Sequence, residues 1–223
     1  MLYPVPAVMV STQPEGKRPN IITLAWAGTV CSSPAMVSIS VRKERYSHEA
    51  LTQTKEFVIN LVTKDLCYAT DYCGVKSGRD TDKFEQMHLT PLPSKYIQAP
   101  GIAESPVNIE CKVTNIIPLG SHDLFIAEVV GVTVDESLLD ETGKLQLGSA
   151  GLVAYSHGEY YELGEKIGTF GYSVRKNGKS SKKQEPIKKK VQSPKTETFK
   201  KEQKDHKRSD DPKKSKRNKK KQG

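Results

Sequence analysis

Residues 20–61 read NIITLAWAGTVCSSPAMVSISVRKERYSHEALTQTKEFVINL. Residues 20–30 are rich in β-branched side chains, Ser32-Ser33-Pro34 offers turn chemistry, and residues 36–41 alternate apolar and polar side chains as a half-solvated strand does. Ser47 is a good helix N-cap, so HEALTQTK predicts a short helix, and residues 57–62 predict a further strand. The stretch therefore predicts closely spaced strands interrupted by one short helix.

The same pattern extends outward in both directions. Residues 7–12 predict a strand, and the turn at residues 14–17 joins it to the strand that begins at Asn20. Short helices are predicted at residues 64–72 and 81–87, and longer strands at residues 107–117 and 124–134. Many short strands, few helices and frequent turns predict a mainly β fold, closed as a barrel rather than built from βαβ units.

The charge of the chain is divided unevenly. Residues 174–223 contain 21 Lys and Arg against 6 Asp and Glu, a net charge of +15, whereas residues 1–173 contain 14 against 20, a net charge of −6. The last fifty residues have four apolar side chains, too few to repay an ordering entropy of roughly 1 to 2 kcal/mol per residue. The sequence therefore predicts one folded domain over residues 1–173 and a disordered Lys-rich tail over residues 174–223.

Several classes of protein are excluded by what the sequence lacks. No apolar run approaches the roughly 18 residues that span a bilayer, and the start MLYPVPAVMV lacks the basic flank of a signal peptide, so we expect a cytoplasmic protein without membrane contact. The four cysteines form no CxxC pair, which favours reduced thiols over a zinc site, and no metal site is predicted. Neither a nucleophile elbow nor a P-loop or dinucleotide glycine pattern is present.

A candidate ligand site begins in the small and hydroxyl residues of Thr23-Leu24-Ala25-Trp26-Ala27-Gly28-Thr29. Small side chains on one face of a strand let a flat ligand approach the backbone. Arg42, Arg45 and Ser47, with the amides of a helix start, would bind a phosphate by charge-assisted hydrogen bonds. A flat ring with one phosphate is the shape of flavin mononucleotide (FMN). The residue types alone also fit a well-packed strand followed by a solvated turn, which is the commoner case.

The run from residue 20 to residue 61 resembles the first half of the flavin reductase-like family of flavoredoxin type. It carries the N-x-x-T-x-A/S-W strand and the S-P-P-like turn, with Ala35 where many relatives have a second proline. It also carries a phosphate segment similar to R-x-x-Y/T-S, which reads R-K-E-R-Y-S here. The resemblance continues in SGRDTDKF, residues 77–84, and in GEYYELGEKIGTFGYS, residues 158–173. It covers the domain in order and none of the tail.

The resemblance implies a Greek-key split β-barrel that forms a homodimer and binds FMN non-covalently near the subunit interface. It assigns the flavin ring and ribityl chain to Thr23, Leu24, Ala25 and Trp26, and the ribityl chain and phosphate to Ser40, Val41, Arg42, Arg45, Tyr46 and Ser47. A loop that closes over the flavin supplies Ser77, Gly78 and Lys83, and a last segment supplies Tyr155, His157 and Tyr160. The spacing of Lys83 also fits an exposed i, i+3 partner of Asp80.

The function implied by the resemblance is an oxidoreductase that passes electrons from NADH or NADPH through FMN to a second flavin, a ferric complex or a protein acceptor. No catalytic side chain is nominated, because the cofactor carries the electron chemistry. The alternative is an FMN-containing electron-transfer or flavin-carrier protein without nicotinamide turnover.

The tail ends in KKSKRNKKK, residues 213–221, which would neutralise phosphates. It has no interleaved aromatic residues on which bases could stack. This favours a solvated tail over a specific nucleic-acid site.

Overall fold

The computed structural model describes residues 2–175, which form twelve strands and three α-helices. The strands are Val5–Pro6 (β1), Val8–Thr12 (β2), Asn20–Leu24 (β3), Ala27–Ser32 (β4), Ala35–Arg42 (β5), Glu56–Leu61 (β6), Pro91–Leu92 (β7), Gly101–Ile102 (β8), Val107–Pro118 (β9), His122–Val134 (β10), Val153–Ser156 (β11) and Glu159–Glu162 (β12). The helices are Tyr46–Thr54 (α1), Cys67–Val75 (α2) and Lys83–Gln86 (α3).

The chain divides into two units, Met1–Thr169 and Phe170–Gly223. The first contains every strand and α-helix named above. Of the second, the structure describes residues 170–175, which contain a 3-10 turn at Tyr172–Val174. The predicted tail lies outside the described residues from residue 176 onward.

Seven strands form one antiparallel sheet in the order β3-β2-β6-β9-β10-β5-β4, with smaller sheets β1-β11-β12 and β7-β8 beside it. β3 and β4 lie at opposite edges of the large sheet and yet are consecutive in the chain. Ala25 and Trp26 alone connect them, and we call this connection the seam. The backbone N–H of Ser40 in β5 donates to the carbonyl oxygen of Trp26 at 2.9 Å. The sheet is thus a split β-barrel, as the sequence predicted.

β2 and its neighbour β3 are buried on both faces, which explains their apolar character, whereas β4 is mostly exposed. In β2, Val8 and Val10 contribute to a core that includes Phe57 and Phe125, while Met9 contributes to a second core with Cys73 of α2. All five residues of β2 are buried. The helices α2 and α3 therefore cover the outer face of β2 and β3, and they hold the candidate site against the barrel.

The mainly β prediction is confirmed, with local differences. The single strand predicted at residues 20–30 is two strands, because the chain turns at the seam although no Gly or Pro marks the position. The prediction that Ser47 caps α1 is wrong: Arg45 occupies the N-cap position, makes no side-chain cap bond, and Ser47 lies inside the helix. Among residues 2–175, no helix has the length and apolar character needed to cross a membrane.

Candidate functional site

A cavity of about 380 Å³, which we call the aromatic cavity, lies beside the seam. Nine of the predicted site residues line it: Thr23, Leu24, Ala25, Trp26, Ser40, Arg42, Arg45, Tyr155 and Tyr160. The indole of Trp26 lies against the His122 ring, with centroids 4.8 Å apart. Tyr155 and Tyr160 meet edge to face at 5.4 Å. The cavity therefore has aromatic side chains on walls contributed by different parts of the chain.

A second cavity of about 430 Å³, which we call the basic cavity, lies at the start of α1. Seven predicted residues line it: Arg42, Arg45, Tyr46, Ser47, Ser77, Gly78 and Lys83. Lys76 and Arg79 add two further cations, and Glu44 is the one carboxylate among its described lining residues. The excess of cations, next to the N-terminal end of a nine-residue helix, suits an anion.

The two cavities are parts of one cleft, because Ile22, Arg42 and Arg45 line both. Arg45 reaches across this cleft, where its Nη1 donates to the carbonyl oxygen of Gly74 at 3.3 Å. Arg42 instead forms an exposed ion pair with Glu44 at 3.3 Å. The aromatic cavity is thus one half of the cleft and the basic cavity is the other, and Arg45 lies where the two halves meet.

Thr23 connects β3 to α2 through a hydrogen bond at the boundary of the aromatic cavity. Its hydroxyl donates to the carbonyl oxygen of Thr70 at 2.5 Å, so its proton is committed to the helix. The methyl side of Thr23 leaves little room for a side chain at Gly74, where an added Cβ would lie 3.3 Å from the Cβ of Thr23. Thr23 therefore offers a ligand its acceptor lone pair rather than a donor.

Ser47 accepts a hydrogen bond from Asn20, which was not among the predicted site residues. Its Oγ accepts from Nδ2 of Asn20 at 2.7 Å, and Ser47 is 1% exposed. A Cβ added at Gly78 would overlap the Asn20 amide and lie 2.7 Å from Cδ1 of Tyr46. The loop at residues 76–80 can therefore sit this close to α1 only with glycine at position 78.

Lys83 is buried, with an exposed fraction of 3%, so it is not the surface partner of Asp80 that the spacing allowed. Its Nζ donates to the carbonyl oxygens of Ile21, at 2.6 Å, and Cys73, at 2.8 Å. Burial lowers the pKa of Lys83 to about 8, with an opposing contribution from Cys73 and a smaller lowering contribution from Arg45. Burial likewise raises the pKa of the Cys73 thiol to about 11. Two of the three ammonium protons of Lys83 are thus committed to holding α2 against β3.

Two predicted residues line neither cavity. Val41 is fully buried and packs in the barrel core. His157 lies at the β11–β12 turn with a φ of 52°, and its ring faces Tyr3 at 6.0 Å. His48 is likewise outside both cavities: its Nε2 lies 2.8 Å from Oδ2 of Asp123, at the start of β10.

Sequence reasoning missed further lining residues. They are Tyr3, Ala7, Asp71, Gly74, Val75 and His122 in the aromatic cavity, Asn20, Glu44, Cys73, Lys76 and Arg79 in the basic cavity, and Ile22 in both. The hydroxyl of Tyr160 donates to Oδ1 of Asp71 at 3.3 Å, and burial, with Asp71, raises the pKa of Tyr160 to about 12. Lys76 and Arg79 flank Ser77 and Gly78, so their position in that loop was the available signal. Within the described part of the chain, no cluster of His, Cys, Asp and Glu could hold a metal.

The cleft fits the shape and charge of FMN. Its aromatic half has walls of apolar and aromatic side chains, as a flat ring requires, and its basic half offers Arg45 and the N-terminal amides of α1 to a phosphate. The two halves adjoin at Ile22, Arg42 and Arg45, where the chain that joins ring and phosphate would lie.

Comparison with known proteins also indicates a flavin-binding protein. Residues 1–164 match the model of the flavin reductase like domain. The solved structure of flavoredoxin from Desulfovibrio vulgaris (Miyazaki F) is 34% identical, with a TM-score of 0.74, over 78% of this chain and 95% of that one. An FMN-binding protein from Thermus thermophilus is 24% identical, with a TM-score of 0.64, over 75% and 90% of the two chains.

Among sequence relatives, an NADPH-flavin oxidoreductase of Streptomyces viridifaciens is 24% identical over 55% of this chain and 63% of its own length. The family model spans most of the chain, and the split barrel agrees with it. The chain therefore belongs to the flavin reductase-like family of flavoproteins.

Proposed function

We propose that the protein is an FMN-dependent oxidoreductase that takes electrons from NADH or NADPH and passes them to a second flavin, a ferric complex or a protein acceptor. The observation that carries the proposal is the continuous cleft, whose aromatic half adjoins a half lined by five cations. This arrangement matches a ring joined to one phosphate. The name of the Thermus thermophilus neighbour also supports FMN as the cofactor.

In this proposal the side chains bind and orient the cofactor. Trp26, Tyr155 and Tyr160 flank the ring, while Arg45, Ser77 and the start of α1 hold the phosphate. FMN, when bound, supplies the hydride and electron transfer. No side chain of the cleft needs to act as a nucleophile or general base.

The proposal includes a twofold dimer and a cytoplasmic location. Among the described strands β4 pairs with β5 alone, so its other edge has no ladder partner within residues 2–175, and its Val30 is half exposed. Small barrels commonly cover such edges by pairing with a second copy. In the cytoplasm the four cysteines, all free in the structure, stay reduced.

A second candidate is an FMN-containing electron carrier without nicotinamide turnover. Its support is the 34% identity to a flavoredoxin over 95% of that chain. Both candidates use the same cleft, and they differ in whether a nicotinamide reduces the bound flavin.

An absorption spectrum of the purified chain, incubated with FMN and desalted, tests the shared part of both candidates. We expect the bands of an oxidised flavin to remain with the protein, and their absence would contradict both. Anaerobic addition of NADH or NADPH then separates the two: rapid bleaching supports the oxidoreductase, and bleaching no faster than that of free FMN supports the carrier. The Arg45→Ala variant, examined at equal protein concentration, shows whether retention depends on the cleft.

A further inference from the structure

Arg79 spans the outer side of the basic cavity. Its Nη1 donates to the backbone carbonyl oxygen of Glu44 at 3.3 Å, and its guanidinium carbon lies 5.5 Å from the centre of the Tyr46 ring. Lys17 approaches the same ring at 5.9 Å. Arg79, an exposed residue of the loop at residues 76–80, thus contacts the turn before α1 through the hydrogen bond and the first residue of α1 through the cation–π contact.

Arg45 connects the turn before α1 to the C-terminal end of α2. It begins in the turn before α1 and donates to Gly74, at the far side of the cleft. Between the two arginine bridges, Gly78 packs against Asn20 and Tyr46 without space for a side chain. The basic cavity is therefore bounded by Arg45 towards the aromatic cavity and by Arg79 at its other end.

The inner side of the basic cavity is also closed. Asn20 and Lys83 are both buried there, with Nδ2 of Asn20 on Ser47 and Nζ of Lys83 on two backbone carbonyls. Arg79 lines the cavity and is exposed, so a ligand that extends from its phosphate towards solvent on this side meets the Arg79 guanidinium.

We infer that Arg79 is a specificity-determining residue that makes the cleft favour FMN over the dinucleotide FAD. The inference rests on the proposed function. The terminal phosphate of FMN carries between one and two negative charges and three acceptor oxygens, so it can satisfy Arg45 and Arg79 together. In FAD the same phosphorus is joined to a second phosphate by a phosphoanhydride bond. The adenylate half then needs the space across which Arg79 reaches Glu44.

The test uses the full-length, flavin-free chain titrated with FMN, FAD and riboflavin, with quenching of flavin fluorescence as the readout. The compared quantity is the ratio of the FAD and FMN dissociation constants. The variants are Arg79→Ala and, as the matched control, Arg18→Ala, which removes another exposed arginine that lines neither cavity and pairs with Asp82 at 3.7 Å. Melting temperatures confirm that both variants are folded.

We expect the wild type and Arg18→Ala to bind FMN more tightly than FAD. Arg79→Ala should lower the ratio of the FAD to the FMN dissociation constant by about threefold to tenfold, because the variant loses one exposed charge-assisted contact and the side chain that obstructs the adenylate half. Equal weakening of FMN and FAD in Arg79→Ala would show a phosphate contact without selectivity and would overturn the inference. So would a wild type that binds FAD as tightly as FMN. A wild type that binds none of the three flavins overturns the proposed function itself, which the other outcomes leave intact.

Discussion

The backbone of Gly78 packs against the side-chain amide of Asn20 so closely that a Cβ added at residue 78 would overlap Oδ1. Asn20 is itself fixed, because its Nδ2 donates to Ser47 inside α1. Asn20 therefore lies where three segments meet: β3, the start of α1 and the loop at residues 76–80. This point is in the wall of the basic cavity.

Gly78→Ala should lower both stability and FMN affinity, because either Asn20 or the loop must move to accept the methyl group. Overpacking of this kind costs about 1 to 3 kcal/mol in unfolding free energy. Denaturant unfolding and FMN titration measure the two effects. Gly148→Ala is the matched control, since a Cβ there meets nothing within 4 Å. If Gly78→Ala is as stable as the control and binds FMN equally well, the loop does not sit as described.

Arg45→Ala should weaken FMN far more than riboflavin, because the two flavins differ only by the phosphate. A hydrogen bond to a charged group contributes about 1.5 to 3 kcal/mol, or roughly tenfold to a hundredfold in dissociation constant. Arg45 is exposed and now donates to the Gly74 carbonyl, so we expect the lower end of this range. Parallel titrations with FMN and riboflavin check it. Equal losses for both flavins would place the phosphate away from Arg45.

Lys83 should make stability depend on pH in alkaline solution. Its folded pKa of about 8 lies below the ordinary value of 10.5, so between these pH values the unfolded chain binds more protons than the folded one. Unfolding free energy then rises with pH across this window, by on the order of 1 to 3 kcal/mol. The depressed pKa thus lowers stability near neutral pH, and this penalty fades above pH 8.

Lys83→Met should remove that rise, although the variant is less stable overall because the carbonyls of Ile21 and Cys73 lose their donor. Comparing variant and wild type by urea unfolding at pH 7.5 and pH 9.5 cancels the titration of Cys73, which both chains share. Lys64→Met, at an exposed ion pair with Glu162, should keep the wild-type slope. A wild-type slope that matches Lys83→Met would mean that Lys83 titrates normally.

The open edge of β4 should mediate dimerisation. Light scattering of the wild type is expected to give twice the chain mass of 24.7 kDa. Val30→Glu places a charge on the edge strand and should yield monomers that bind FMN more weakly. Val132→Glu, at an equally exposed position of β10 that pairs with Ile109 of β9, should remain dimeric. A monomeric wild type with full flavin occupancy would contradict a site at the subunit interface.

The sequence predicted the strands and the cleft residues better than it predicted their contacts. Alternation of apolar side chains marked β5, because Val37, Ile39 and Val41 lie on the face in the barrel core. The β-branched pattern of residues 20–30 gave no signal of the turn at Ala25 and Trp26, because neither position is a Gly or Pro. The burial of Lys83 and the pairing of His48 with Asp123 depend on segments far apart in the chain, and no local pattern encodes such contacts.

The seam also has a consequence for measuring ligand binding. Because β3 and β4 end the order of hydrogen-bonded strands among residues 2–175, each has one row of backbone amides without a ladder partner there, and β3 lines the aromatic cavity through Thr23 and Leu24. Amide hydrogen exchange should therefore be fast at these rows while central strands such as β6 stay protected. A molecule bound in the cleft would slow amide exchange at β3 first. Amide exchange therefore detects ligand binding through the backbone of the barrel, without any label on the ligand.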